Sequence, residues 1–218
     1  MSALANLARV RGQIDAAAGR AGRDSATVLL LGAAKTVPAA VLVETLGAGL
    51  VDYGENRAQE LVAKAAELDG CVPAPRWHFL GRLQRNKVGA LAPWVTLWHS
   101  VDSRELGAAI ARRAPGARVL IEVNVARERQ KGGCDPDAAS ALTDALRALD
   151  LQVGGLMTIP PLDRDPRPYF AELRELAQRL EVDELSMGMS GDFEVAIEEG
   201  ATIVRVGRAL FGARPPVM

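Results

Sequence analysis

The sequence predicts an α/β fold: a single-domain (β/α)8 barrel of the TIM type over residues 1–218, with an extra N-terminal helix. Three observations predict it. Eight short apolar runs alternate with helical patterns along the whole chain, the order of a barrel built from βα units. The runs are leucine-rich or β-branched and do not alternate cleanly, as parallel strands covered on both faces should not. Polar residues with chemistry to offer recur just after the runs, on the side where barrels place their active sites.

The elements follow in order. In "MSALANLARVRGQIDAAAGRAG", Leu4, Leu7, Val10 and Ile14 form one stripe, Ser2 is placed to cap it, and Gly19 and Gly22 stop it. Strands are expected at 27–34, 50–53, 76–80, 96–101, 117–125, 152–157, 183–187 and 202–206. Helices are expected between them. One covers 39–46, and another runs from Glu55 to Leu68 with Ala58, Leu61, Val62 and Ala65. Asp102 with Glu105 reads as a capping box. Asp135-Pro136 opens the next helix, since proline suits a first turn. Residues 166–180 and 191–199 supply two more, the latter ended by Gly200, and "ARPPVM" reads as a tail. The competing arrangement is an open doubly wound sheet. It requires a glycine-rich nucleotide turn after the first strand, and "GAAKTVP" is not one.

Composition narrows the function classes. Hydrophobic residues make up 49% of the 218 and charged residues 24%, ordinary for a globular chain. The formal net charge of −1 gives no electrostatic reason to expect nucleic acid or an acidic membrane surface. Two cysteines, Cys71 and Cys134, without a CxxC, and two histidines argue against a disulfide framework or a metal site. No apolar run is long enough to span a bilayer, and the N-terminus lacks the shape of a signal peptide. The expected location is the cytoplasm. No segment reads as a dimer seam, so a monomer is expected.

The candidate site is assembled from the strand ends. Lys35 follows the first strand, Asn56 the second, and His78 sits near the end of the third. His99 lies in the fourth strand, Asn124 ends the fifth, and Met157 and Thr158 end the sixth. Met187, Gly188 and Ser190 follow the seventh, and Arg205 and Gly207 close the eighth. Ser190 is expected to cap the 191–199 helix, and Gly207 to allow close backbone approach. Helix-start amides, a hydroxyl and a glycine together make an anion site, and barrels commonly bind phosphate after strands seven and eight. Lys35 is expected across the mouth from that phosphate end. A lysine plus a phosphate site points to a Schiff base with a phosphorylated carbonyl compound. A lysine amine has a reference pKa of ~10.4. An apolar surround and a nearby cation, here Arg205, favour the neutral, nucleophilic form. A cofactor-free aldolase and a cofactor-binding protein both remain open at this point. His78 and His99, beside Trp77 and Trp98, read as structural histidines, with His78 also placed to line the site. Arg82, Arg85 and Lys87 read as a solvated face.

The motifs "AAKTVP", "YGENRAQEL", "WHFLGRLQRNK", "HSVDS", "VLIEVNVARERQKGG", "GLMTI" and "LSMGMSGDFEVAIEEGATIVRVGRALFG" occur in this order over nearly the whole chain. With them the sequence resembles the pyridoxal phosphate homeostasis proteins. The resemblance implies a barrel similar to the N-terminal domain of alanine racemase. It also implies pyridoxal 5′-phosphate (PLP) held as a covalent aldimine on Lys35. By the same resemblance Arg205 faces the pyridine nitrogen. Ser190 and the backbone around Gly207 and Arg208 hold the phosphate, and Asn56, Met187 and His78 line the cofactor. Lys131 matches a family lysine implicated in PLP transfer or secondary binding. Two features depart from the family: Arg208 stands where a threonine or serine is frequent, and "IPP" follows Thr158.

An arginine opposite the pyridine nitrogen disfavours the protonated ring that most PLP chemistry uses. Racemases on this barrel take an acid–base tyrosine from a C-terminal domain of a partner subunit. This chain stops seven residues after Phe211 and has only Tyr53 and Tyr169. The expected function is therefore PLP binding and homeostasis, with delivery to apo-enzymes and no catalytic residues. The alternative is a racemase-like enzyme acting on amino acids.

Overall fold

A computed structural model describes residues 2–212. Helix α1, Ala3–Arg20, precedes the first strand. The remaining elements are β1 Leu29–Ala33, α2 Ala39–Gly47, β2 Asp52–Glu55, α3 Ala58–Glu67, β3 Arg76–Phe79, α4 Val88–Leu91, β4 Val95–Val101, α5 Arg104–Arg113, β5 Arg118–Glu122, α6 Ala139–Arg147, β6 Gln152–Met157, α7 Arg167–Leu180, β7 Glu184–Ser186, α8 Phe193–Glu198, β8 Ile203–Val206 and α9 Arg208–Phe211. All eight strands are parallel, and they close into a barrel in sequence order. The expected fold, a (β/α)8 barrel with a leading helix, is what the chain forms.

Period-2 geometry splits each strand between two cores. Leu31, Leu97, Leu120, Met157 and Ile203, with Leu80 just past β3, form a small cluster inside the barrel. Their strand neighbours face the helices, where the larger core holds Tyr53, Trp77, Phe79, Trp98, Val119, Ile121, Val204 and Val206. This assignment fixes which polar residues point inward: Asp52, His78, His99, Glu122, Ser186 and Arg205 share the inner face with the small cluster.

Helix α1 has Ser2 as its N-cap, accepting from the Ala5 amide. Leu7, Val10 and Ile14 are buried as their spacing requires, whereas Leu4 is exposed. The helix packs onto the last part of the chain. Asn6 donates to the Leu210 carbonyl at 2.9 Å, Arg9 to the Ala209 carbonyl at 2.7 Å, and Arg20 pairs with Glu194 and Glu198.

Three local expectations are corrected. Glu55 ends β2 instead of opening a helix, and α3 begins at Ala58. The box at Asp102 does not form: Ser103 is the N-cap of α5, and its hydroxyl donates to Asp102. Helix α8 starts at Phe193 with Asp192 as its N-cap, so Ser190 lies outside it. Asp135 does cap its turn, accepting from the Asp137 amide at 3.0 Å. The tail read in "ARPPVM" lies outside the described residues.

Candidate functional site

Ser190, freed from α8, serves the loop after β8. Its hydroxyl accepts from the Gly207 amide at 3.3 Å and the Ala209 amide at 3.1 Å. The Asp192 carboxylate meanwhile takes the Met189 amide. The two loops are thus stitched together. The backbone N–H groups of Ser190, Gly191 and Arg208 donate to no protein acceptor among the described residues. Amides without protein acceptors gathered around a hydroxyl suit a phosphate.

Lys35 stands next to this cradle, not opposite it. The barrel closes by pairing β8 with β1, Leu31 opposite Arg205 and Gly32 opposite Val206. A Cβ on Gly207 would come within 3.2 Å of the Ala33 carbonyl, two residues before Lys35. The expectation of a lysine across the mouth fails because the first and last strands of a closed barrel are neighbours. Lys35 is half-buried in the turn after β1 and enters no ion pair among the described residues.

Arg205 is 4% exposed. Its guanidinium donates at 2.8 Å to the Ser186 hydroxyl and at 2.8 Å to the Thr158 carbonyl, both neutral. Burial lowers it to about 10, with Asp192 and Glu122 opposing, so it stays charged at neutral pH. The Nε donates to nothing among the described residues, which leaves a directed donor for an acceptor such as a ring nitrogen.

A hydrogen-bonded chain runs from Ser186 through the barrel. Ser186 Oγ lies 2.8 Å from His99 Nδ1, His99 Nε2 lies 2.9 Å from His78 Nδ1, and His78 Nε2 lies 3.1 Å from Asp52. Arg76 grips Asp52 with two bonds at 2.8 and 2.6 Å. One assignment satisfies every link. Arg205 donates to Ser186, Ser186 to His99, His99 to His78 and His78 to the Asp52 carboxylate. Burial, above all, lowers His99 well below its ordinary value, with Arg205 and Arg118 adding to it, in keeping with a neutral ring.

The other expected residues fall around this centre. His78 has both ring nitrogens engaged beneath the mouth, and His99 is structural in the sense that it completes the chain. Met187 is fully buried and belongs to the outer core, because Ser186 before it faces inward. It backs the site from behind instead of lining it. Asn56 is exposed at the rim, and Arg208 is exposed at the start of α9. Asn124 shapes its own loop by bonding both N–H and C=O of Glu128. Lys131 pairs with Glu128 and reaches the Ile159 carbonyl at 3.3 Å, which ties the "IPP" loop to the loop after β5. Arg82, Arg85 and Lys87 border a cavity of about 820 Å³ beside Asn56. It sits over the loops after β2 to β4 and does not include Lys35 or Gly207.

Residues 5–215 match the model of the alanine racemase N-terminal domain. The chain is 48% identical to the pyridoxal phosphate homeostasis protein of Aquifex aeolicus, over 98% of this chain and 99% of that one. The chain belongs to the pyridoxal phosphate homeostasis protein family. The Pseudomonas aeruginosa member is 45% identical, over 98% of this chain and 97% of that one. A structure of PipY from Synechococcus elongatus with PLP bound superposes with a TM-score of 0.83 at 35% identity, covering 97% of this chain and all of that one.

In this family member one residue at the mouth was not singled out from the sequence. Glu122 ends β5 facing inward and is half-buried, with no side-chain hydrogen bond among the described residues. Burial first, then Asp102, raises it to about 7, against Arg205 and Arg82. Stepping inward from Leu120 in "VLIEVNV" finds it. Tyr53 goes the other way. Its phenol is buried against α2, bonding the Thr45 hydroxyl at 2.9 Å and the Leu42 carbonyl at 3.0 Å.

Proposed function

We propose that this protein binds PLP as a Schiff base on Lys35 and holds it in reserve for apo-enzymes, without turning over a substrate of its own. The observation that carries the reading is the adjacency of three groups. Lys35 leaves β1 beside the Gly207 loop, the loop amides with Ser190 offer a phosphate cradle, and Arg205 brings a directed donor to the same strand pair. A phosphorylated pyridine aldehyde needs those three: an amine, an anion site and a partner for the ring nitrogen. When bound, PLP would supply an aldehyde for the amine and a ring able to accept electrons. The PLP-bound PipY supports the identity of the ligand, and the names of the relatives support homeostasis as the role.

The same residues argue for storage over catalysis. Arg205 stays positive, so a ring nitrogen facing it stays unprotonated and the ring is a poor electron sink. Tyr53, the one tyrosine in a strand among the described residues, is locked in the outer core, and burial pushes it up to about 12. The competing reading, amino-acid chemistry, draws on Glu122, a carboxyl at the mouth that titrates near neutrality. The proposal places the protein in the cytoplasm as a monomer, where the free thiols of Cys71 and Cys134 stay reduced.

The test is transfer. Purified protein should show visible imine absorbance that disappears in Lys35→Ala. It should activate an apo-enzyme more slowly than free PLP while shielding the aldehyde from a scavenging amine. Transfer at the free-PLP rate without shielding, or turnover of amino acids at ordinary enzyme rates, would overturn the reading.

A further inference from the structure

The turn that carries Lys35 is strained and held from outside. The Val37 amide donates to the Ala34 carbonyl at 2.9 Å, which puts Lys35 and Thr36 at the two corners of a β-turn. Thr36 has φ 63°. A negative φ followed by a positive one makes a type II turn, whose second corner is normally glycine. A β-branched residue there is disfavoured and persists only when its surroundings enforce it.

Helix α3 does the enforcing. Glu60 Oε2 accepts the Thr36 amide at 3.0 Å, and Lys64 Nζ donates to the Ala34 carbonyl at 2.7 Å. The peptide groups on either side of Lys35 are thus gripped by two charged residues one helical turn apart. Lys64 has a side chain 11% exposed, paired with the fully buried Glu55 and 3.7 Å from Glu60. Arg57 holds the other oxygen of Glu60 at 3.1 Å. Burying such a cluster is not a general route to stability, since apolar residues of similar volume serve as well or better. The apolar face of α3, with Leu61 and Ala65 buried, already docks the helix. The charged face therefore has a separate task.

We infer that Glu60 and Lys64 are positioning residues for Lys35: they hold the strained turn and so set the direction in which the amine leaves β1. The inference rests on Lys35 being the attachment lysine. It assigns the α3 pair a role in amine presentation, distinct from contact with any ligand.

The test compares Glu60→Ala, Glu60→Gln and Lys64→Met with the wild type, all as full chains freed of PLP. One readout is the rate at which added PLP is trapped on Lys35 by borohydride, followed by peptide mass mapping. A second is competitive acetylation of Lys35 against pH, which involves no PLP. The third is the thermal midpoint. Glu60→Ala should slow trapping about tenfold, as a displaced reactive group does, and shift the acetylation profile. Glu60→Gln, whose amide oxygen still accepts from Thr36, should stay within about twofold of the wild type. Lys64→Met leaves Glu55 buried without its partner and should lower the thermal midpoint; the folded variant should show the Glu60→Ala defect. Wild-type trapping and acetylation in a folded Glu60→Ala overturn the inference, even if Lys64→Met fails to fold. A lowered midpoint with unchanged Lys35 chemistry also overturns it. A wild type that traps PLP at another lysine sinks the proposed function instead, and the acetylation profiles still decide the clamp.

Discussion

The Arg205 guanidinium rests on the Ser186 hydroxyl at 2.8 Å, and that hydroxyl joins it to the His99–His78 pair. A buried cation bonded only to neutral groups has its desolvation incompletely offset within the protein, so an incoming acceptor gains by meeting it. Arg205→Met should therefore separate stability from binding. Loss of the bonds to Ser186 and Thr158 is offset by relief of the buried charge, and unfolding free energy should move by less than about 1 kcal/mol. PLP affinity should fall at least about tenfold, the scale of one hydrogen bond to a charged group. Urea denaturation of the cofactor-free protein and absorbance titration with PLP measure the two. A large stability loss with unchanged affinity would make Arg205 a structural residue.

Ser190 ties the Gly207 and Ala209 amides together. Ser190→Ala removes their acceptor at a cost of about 1 kcal/mol, as for a lost helix cap. If the cradle holds phosphate, the variant should lose about tenfold in affinity for PLP. Pyridoxal has the same aldehyde and no phosphate, so both proteins should bind it equally. An equal loss for both ligands would put the effect in the loop's shape and not in phosphate recognition.

The strands were legible because each is buried on both faces, which leaves its apolar run intact in the sequence. Their ends shifted by no more than three residues, the largest change being the fifth strand, which stops at Glu122 because Asn124 turns to bond Glu128. Side-chain direction was harder to read. Tyr53 and Asp52 are adjacent in sequence, and a one-residue change of phase exchanges their faces. Only the neighbours in space showed that Asp52 points in and Tyr53 out. The relay was invisible for a related reason: His99 and Ser186 are 87 residues apart, and no local pattern connects them. Ser190 reads as a cap because serine favours that position, but α8 starts two residues later, at Phe193, and its N-cap Asp192 turns its carboxylate back to the Met189 amide. The sequence did hold a clue to Lys64. It lies between Leu61 and Ala65 on the stripe that packs inward, so its burial follows from helical spacing.

Glu122 gives the folded protein a pH dependence of its own. Its carboxyl is raised to about 7, chiefly by burial, from an ordinary 4.5. Between those values the native protein keeps a proton that the unfolded chain has released. Stability contributed by this group is therefore lost as pH rises through the window, by at most about 1.4 kcal/mol per unit. His99 works in the opposite direction. Its folded value lies well below 6.5, so the unfolded chain binds the extra proton at lower pH, and stability falls as pH drops below 6.5. The two slopes oppose each other where the windows overlap. Glu122→Gln removes only the first. The variant should match the wild type near pH 4.5, where both side chains are neutral, and become progressively more stable than it toward pH 7. Above that the advantage should level off. Urea denaturation of cofactor-free protein at half-unit steps from pH 4.5 to 8 gives the difference curve. A flat curve would mean that the mouth keeps Glu122 ionised throughout, which would also remove the near-neutral acid on which the enzymatic reading depends.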